Sequence, residues 1–128
     1  MLLIPDCHDG FFDGLWLSKH GTVHLFLRTE REDCFTLILG GVEALSVSDF
    51  RAGNIIFEIA VIPPEELALD HMPEVYQVDS VECERARHLL SKSKQERLVL
   101  LQFTPAYGAC GSFLFKSAEV LNGHVLGT

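Results

Sequence analysis

Apolar and polar residues alternate through the first half of the chain as they do on half-buried strands. Val23, Leu25 and Leu27 fall on one face, and Thr22, His24, Phe26 and Arg28 on the other. The preceding run Phe12–Ser18 predicts a partner strand, with His20-Gly21 as the tight turn between them. Glu30–Asp33 reads as a charged loop before a third strand carrying Phe35, Leu37 and Leu39. Gly40-Gly41 then breaks or bulges the chain before a strand-like run from Val42 to Val47. The strongest strand signal is Asn54–Ile62, apolar on both faces apart from Glu58, which predicts a central strand covered on both sides.

Pro63-Pro64 ends that run, and Glu65–Leu69 fits a short helical turn. A clearer helix follows, with Asp79 as N-cap, Glu82 three residues on, and an apolar stripe of Val81, Ala86, Leu89 and Leu90. It runs out in Ser91–Lys94, where cations suit the helix dipole. Strands are predicted again at Leu98–Thr104 and Ser112–Ser117, joined by a loop over Pro105–Gly111, and Asn122-Gly123 is a last turn signal. Strands, a helical insertion and closing strands make an α+β domain, not the alternation that builds a parallel sheet. The expectation is a predominantly antiparallel β-sheet with a helical insertion packed on one face, and a single domain over residues 1–128.

Composition supports a filled interior: 48% of the 128 residues are hydrophobic, nine of them Phe, enough to exclude a disordered chain. Charge narrows the partners. Ten Lys and Arg face eighteen Asp and Glu, a net charge of −8, so the counterion release that drives nucleic-acid binding has no basic surface to work from. Nucleic acid and anionic membrane are therefore disfavoured, and a basic protein partner is favoured by long-range attraction. Cys7, Cys34, Cys83 and Cys110 lack Cys-x-x-Cys spacing and read as reduced, mostly buried thiols. Met1–Ile4 meets Pro5-Asp6 without the features of a signal peptide, and no apolar run reaches the length of a membrane helix, so a cytoplasmic location is expected.

Each candidate chemistry has a structural competitor. His8, Asp9, His20 and His24 lie close in sequence, yet no zinc motif is present, so no metal is expected; His20 reads as a turn residue and His24 as solvent-facing. His8-Asp9 could pair a base with its orienting carboxylate, but Asp9-Gly10 is turn chemistry first. Cys110 lies among glycines with no His nearby in sequence and no nucleophile-elbow context. Phosphate-binding Gly motifs are absent, and no cofactor is expected. Glu58, isolated in an apolar strand, calls for a partner such as Arg28 or Arg51. From Asp49 to Asn54, Asp49 starts a turn, Phe50 anchors it to the core, Asn54 bonds nearby backbone, and only the charge of Arg51 is left over.

His8-Asp9-Gly10, Gly41-Val42-Glu43-Ala44-Leu45 and Asp49-Phe50 through Asn54-Ile55-Ile56 together resemble small bacterial domains of unknown function. Some similar families are described as immunity proteins of polymorphic-toxin systems. The resemblance spans roughly residues 5 to 62. It implies an antiparallel α+β domain with no known active site, and it carries over no catalytic residue; the leading expectation is a bacterial domain that acts by protein binding, as an immunity-type protein would. The residues singled out for binding are His8, Asp9, Arg51 and Asn54. A small enzyme or ligand-binding domain with a pocket near His8 and Asp9 is the alternative, and a homodimer paired through sheet edges is a third reading.

Overall fold

The computed structural model describes residues 3–76 and 84–125. The alternating first half forms an antiparallel meander of β1 (Phe11–Leu17), β2 (Val23–Arg28) and β3 (Cys34–Gly40). Gly21, at φ 80°, supplies the left-handed residue of the first turn, where Ser18 N–H donates to the Thr22 carbonyl at 2.9 Å. β4 (Ala44–Ser48) and β5 (Asn54–Ile62) follow, then a 3₁₀ turn at Pro64–Glu66, α1 (His71–Tyr76) and α2 (Glu84–Gln95). The chain ends in β6 (Val99–Tyr107), β7 (Cys110–Phe115) and β8 (Ser117–Asn122). All pairings are antiparallel, in one eight-stranded sheet of order β4-β7-β6-β5-β1-β2-β3-β8.

Chain connectivity shows that this sheet cannot be flat. β3 and β4 lie six strand spacings apart in that order, about 29 Å in a flat sheet. Only residues 41–43 join them, a reach of about 14 Å. β7 and β8 are as far apart in the order, with Lys116 alone between them. The sheet therefore curls back on itself, and β3–β4 with β7–β8 form one long ribbon bent at Gly41 and Lys116. Lys116 N–H donates to the Gly40 carbonyl at 3.0 Å and Glu43 N–H to the Leu114 carbonyl at 2.8 Å, which carries the pairing round the corner. Gly41, at φ 61°, makes the bend; a side chain there would crowd Lys116.

Curling leaves a concave face that buries the main core, including Phe12, Leu25, Leu37, Leu101, Phe103, Phe113 and Phe115. The helices cover one part of the opposite face, where Leu67, Val75, Leu98, Leu100 and Leu114 pack together. Met72 of α1 meets Ala86 and Leu89 of α2. On the same face, beside α1, the sheet turns polar: Ser46, Ser48, Gln102, Thr104, Cys110 and Ser112 line a cleft of about 480 Å³ together with Glu74 of α1.

The antiparallel sheet is as expected, but it dominates: among the described residues two α-helices accompany it, so the α+β balance is met in part. β8 was not anticipated as a separate strand. The long loop expected over 105–111 is instead strand up to Tyr107 and a tight turn containing Gly108. α1 contains Pro73 within its first turn, where a missing N–H costs nothing. The proposed cap at Asp79, with Val81, Glu82 and Cys83, lies outside the described residues.

β5 corrects a larger expectation. It sits in the middle of the strand order, but its faces are not both covered, since Phe57, Glu58 and Val61 are exposed, and one of its edges is open as well. Its pairing with β1 ends after Phe11↔Ile55 and Phe12↔Asn54, whereas its pairing with β6 continues to Ile62. Among the described residues, Phe57–Ile62 has no strand on the β1 side. Phe57 and Val61 are 50% and 41% exposed, and the register slips between Ile56 and Glu58, which turns Phe57 outward.

Candidate functional site

Asn54 is 3% exposed and uses its whole amide. Its Oδ1 accepts from Arg51 N–H at 2.8 Å and Ala109 N–H at 2.9 Å. Its Nδ2 donates to the Arg51 carbonyl at 2.8 Å and the Phe12 carbonyl at 3.2 Å. One side chain thus ties together β1, the 49–53 loop and the β6–β7 turn, filling the capacity of an amide. Gly108 packs against it so closely that a Cβ would lie 2.5 Å from Oδ1. Asp49 takes φ 58° to start the loop. Phe50 does not anchor in the core: it is 50% exposed and sets its edge against Phe12. The Arg51 guanidinium lies 5.9 Å from the Tyr107 ring, a cation–π contact on the surface.

His8 and Asp9 occupy a different place. Asp9 adopts φ 60°, donates its N–H to the Ile56 carbonyl at 2.9 Å, and so ends the ladder between the N-terminal segment and β5. Gly10 then returns a carbonyl to Ile56 N–H at 2.9 Å. The left-handed residue of this turn is Asp9, a residue type that tolerates it. One step along, His8 Nδ1 donates to the Phe57 carbonyl at 2.8 Å, and its ring stands edge-on to Phe57. His8 Nε2 lies 3.5 Å from Asp9 Oδ2, both side chains more than half exposed. The Phe57 carbonyl, and then the Asp9 carboxylate, hold the imidazolium form and raise the His8 pKa, with Asp6 and Glu30 adding to the effect.

His8 stands at one end of a cleft of about 540 Å³ between the N-terminal segment and the open side of β5. Ile4, Pro5, Ile59 and Val61 give it apolar walls, and Asp6 and Glu58 place carboxylates on it. Leu3 and Val61 continue the cleft into a larger apolar groove of about 880 Å³, walled by Pro63, Val99, Phe115, Ala118 and Val120. The two form one trough along β5 towards β8. Cys7 at its floor is buried, and burial, with Asp6 nearby, pushes its thiol pKa up to about 11, so it is inert as a nucleophile.

The four residues singled out in the sequence therefore do not converge. His8 lines the trough and Asp9 adjoins it, while Asn54 is sealed inside a hydrogen-bonded corner with Arg51 outside on Tyr107. Other expectations also change. Glu58 takes neither arginine: Arg28 is held by Asp13 at 2.7 Å and Glu32 at 3.0 Å, and Glu58 faces the trough. His24 is buried, not solvent-facing, because the C-terminal segment crosses it and the Val125 carbonyl meets its Nδ1 at 2.9 Å. Cys34 and Cys110 are exposed free thiols, and Cys110 Sγ lies 2.9 Å from Ser48 Oγ. Among the described residues no three His, Cys, Asp or Glu side chains are grouped to hold a metal ion.

Sequence reasoning missed Leu3, Phe57 and Val61 as surface residues. The break at Glu58 in an otherwise apolar strand was the available signal. No helix among the described residues is long and apolar enough to cross a membrane. Compared with known proteins, the chain matches no family, no curated protein and no solved structure.

Proposed function

We propose that this chain acts by binding a basic protein partner, as an immunity-type protein does, through the trough beside His8. The observation that supports this reading is the combination of exposed apolar surface with carboxylates at its margin. Leu3, Phe57 and Val61 are 78%, 50% and 41% exposed within one region, next to Asp6, Asp9 and Glu58. Apolar surface contributes affinity on burial, while the acidic margin and the net charge of −8 steer a cationic partner and repel acidic ones. A cytoplasmic protein facing a basic toxin domain would need this pair of features.

The enzymatic alternative has less to stand on. His8 spends Nδ1 on the Phe57 carbonyl, and the His8 and Asp9 side chains are both more than half exposed, so the pair lacks the enclosure that usually tunes a catalytic base.

Capture from a lysate of the source organism tests the reading, with the wild-type chain and an Asp6→Lys/Glu58→Lys variant as baits. The expected result is a basic protein held by the wild type, released by salt, and lost from the variant. Identical captures by both baits, or none by the wild type, would overturn it.

A further inference from the structure

We propose that Phe57–Ile62 is a docking edge, to which the basic partner adds an extended segment alternating apolar residues with Lys or Arg. This rests on the binding reading above and specifies its mode. In an antiparallel strand every second residue turns its N–H and C=O towards each side. β5 satisfies one side through β6 as far as Ile62, but among the described residues its other side is paired only up to Ile56. Residues 3–8 run past this side without taking it up: no backbone hydrogen bond joins them to Phe57–Ile62, and the cleft of about 540 Å³ lies between. Among the described residues, the Phe57 carbonyl is capped by the His8 side chain. The six-residue stretch Phe57–Ile62 gives about 20 Å of edge, the length of an ordinary strand.

The chemistry of the slot selects its occupant. An added strand would project alternate side chains to opposite faces. One set would meet Leu3, Ile59 and Val61; the other would pass the carboxylates of Asp6 and Glu58. An alternating apolar and cationic segment satisfies both, and this is recognition by strand addition. A second copy of the chain fits poorly, because pairing β5 with β5 would bring Glu58 and Asp6 of each copy towards those of the other. That repulsion also protects an open apolar edge against self-association, the usual hazard of such edges.

The test uses the full chain, isotopically labelled, and a peptide of about ten residues alternating Lys and Val, long enough to cover the edge. Its binding should slow amide exchange within Phe57–Ile62 and shift those resonances before any others. A peptide N-methylated at every second residue keeps the side chains but cannot pair along that backbone edge. It should bind at least about tenfold more weakly, the equivalent of one lost hydrogen bond. A Glu-Val peptide should not bind the wild type, and Asp6→Lys/Glu58→Lys should reverse the preference.

Equal affinity of the N-methylated peptide, or protection appearing at Ser117–Asn122 instead, would overturn strand addition here. So would slowed exchange of Phe57–Ile62 in concentrated protein without peptide, which would make a second copy the occupant. If the lysate capture succeeds but the Lys-Val peptide leaves these amides untouched, the docking mode falls while the binding function stands. If the capture fails, the function itself falls.

Discussion

The two ends of β5 look alike in sequence and live in opposite surroundings. Asn54–Ile56 is bonded on both sides, to β6 and to the 10–12 segment, and the Asn54 amide is fully used. Phe57–Ile62 keeps β6 on one side and an open trough on the other. The divide is the register slip after Ile56, together with the turn at Asp9 that leads the N-terminal segment away. Apolar residues alone do not distinguish a strand that is finished from one that is open. The location of the hydrogen-bond partners does.

The sharpest way to break this contrast is at the closed end. Asn54→Ala leaves the Arg51 and Ala109 N–H groups and the Phe12 and Arg51 carbonyls without their side-chain partner. With buried groups stranded, the loss should be on the order of 4 kcal/mol, read by chemical denaturation. A loss below about 1 kcal/mol would mean that water replaces the amide without penalty. Asn54→Asp keeps both acceptor contacts but sets a buried carboxylate oxygen against the Phe12 and Arg51 carbonyls, so at neutral pH it should cost at least as much as alanine.

Gly108→Ala attacks the same corner from the other side. Gly108 sits at φ 86°, and its added Cβ would lie 2.5 Å from Asn54 Oδ1. Backbone strain and the forced shift of the amide together should cost about 2 kcal/mol. The clash needs Asn54, so combining Gly108→Ala with Asn54→Ala should cost less than the sum of the two. Strict additivity in that cycle would show that the glycine is required for its dihedral alone.

The sequence made the sheet legible because its signals are local. Alternation in Val23–Arg28, the Gly21 turn and the long run Asn54–Ile62 each need only neighbouring residues to be read. The curl was illegible for the opposite reason: it follows from pairing β3 with β8 and β4 with β7, which no local pattern declares. Burial of His24 had the same origin, since its cover comes from Val125, 101 residues away. Within the candidate site, Asn54 bonds nearby backbone as its amide chemistry suggests, and a turn does form at Asp9-Gly10, but its left-handed residue is Asp9 and not Gly10. What escaped was that the strand stays open beside His8, which depends on where β1 stops.

His8 offers a gentler probe of the open end. Its pKa is raised, first by the Phe57 carbonyl and then by Asp9. A raised folded value means that its contribution is complete below the ordinary value of 6.5 and fades as pH climbs through the folded one. His8→Gln should therefore lower the melting temperature slightly at about pH 5 and leave it unchanged at about pH 9. The imidazole resonances of His8 should titrate with a midpoint above 6.5, and Asp9→Asn should move that midpoint down. A midpoint at or below 6.5 would show that the contacts with Phe57 and Asp9 do not persist in solution.

The smallest effect on folding belongs to the most apolar residue of the open end. Phe57 is half exposed, touches the His8 ring edge-on, and does not belong to the main core. Phe57→Ser should change stability by no more than about 0.5 kcal/mol, far less than a buried phenylalanine such as Phe12 would. On that expectation, folding energetics do not account for a large apolar side chain at that position. If the trough is a docking surface, the same substitution should weaken binding of the Lys-Val peptide severalfold while the melting curve stays in place. If instead it destabilises the chain as much as a core truncation, the bulge packs Phe57 inward in solution, and the two ends of β5 are less different than their geometry states.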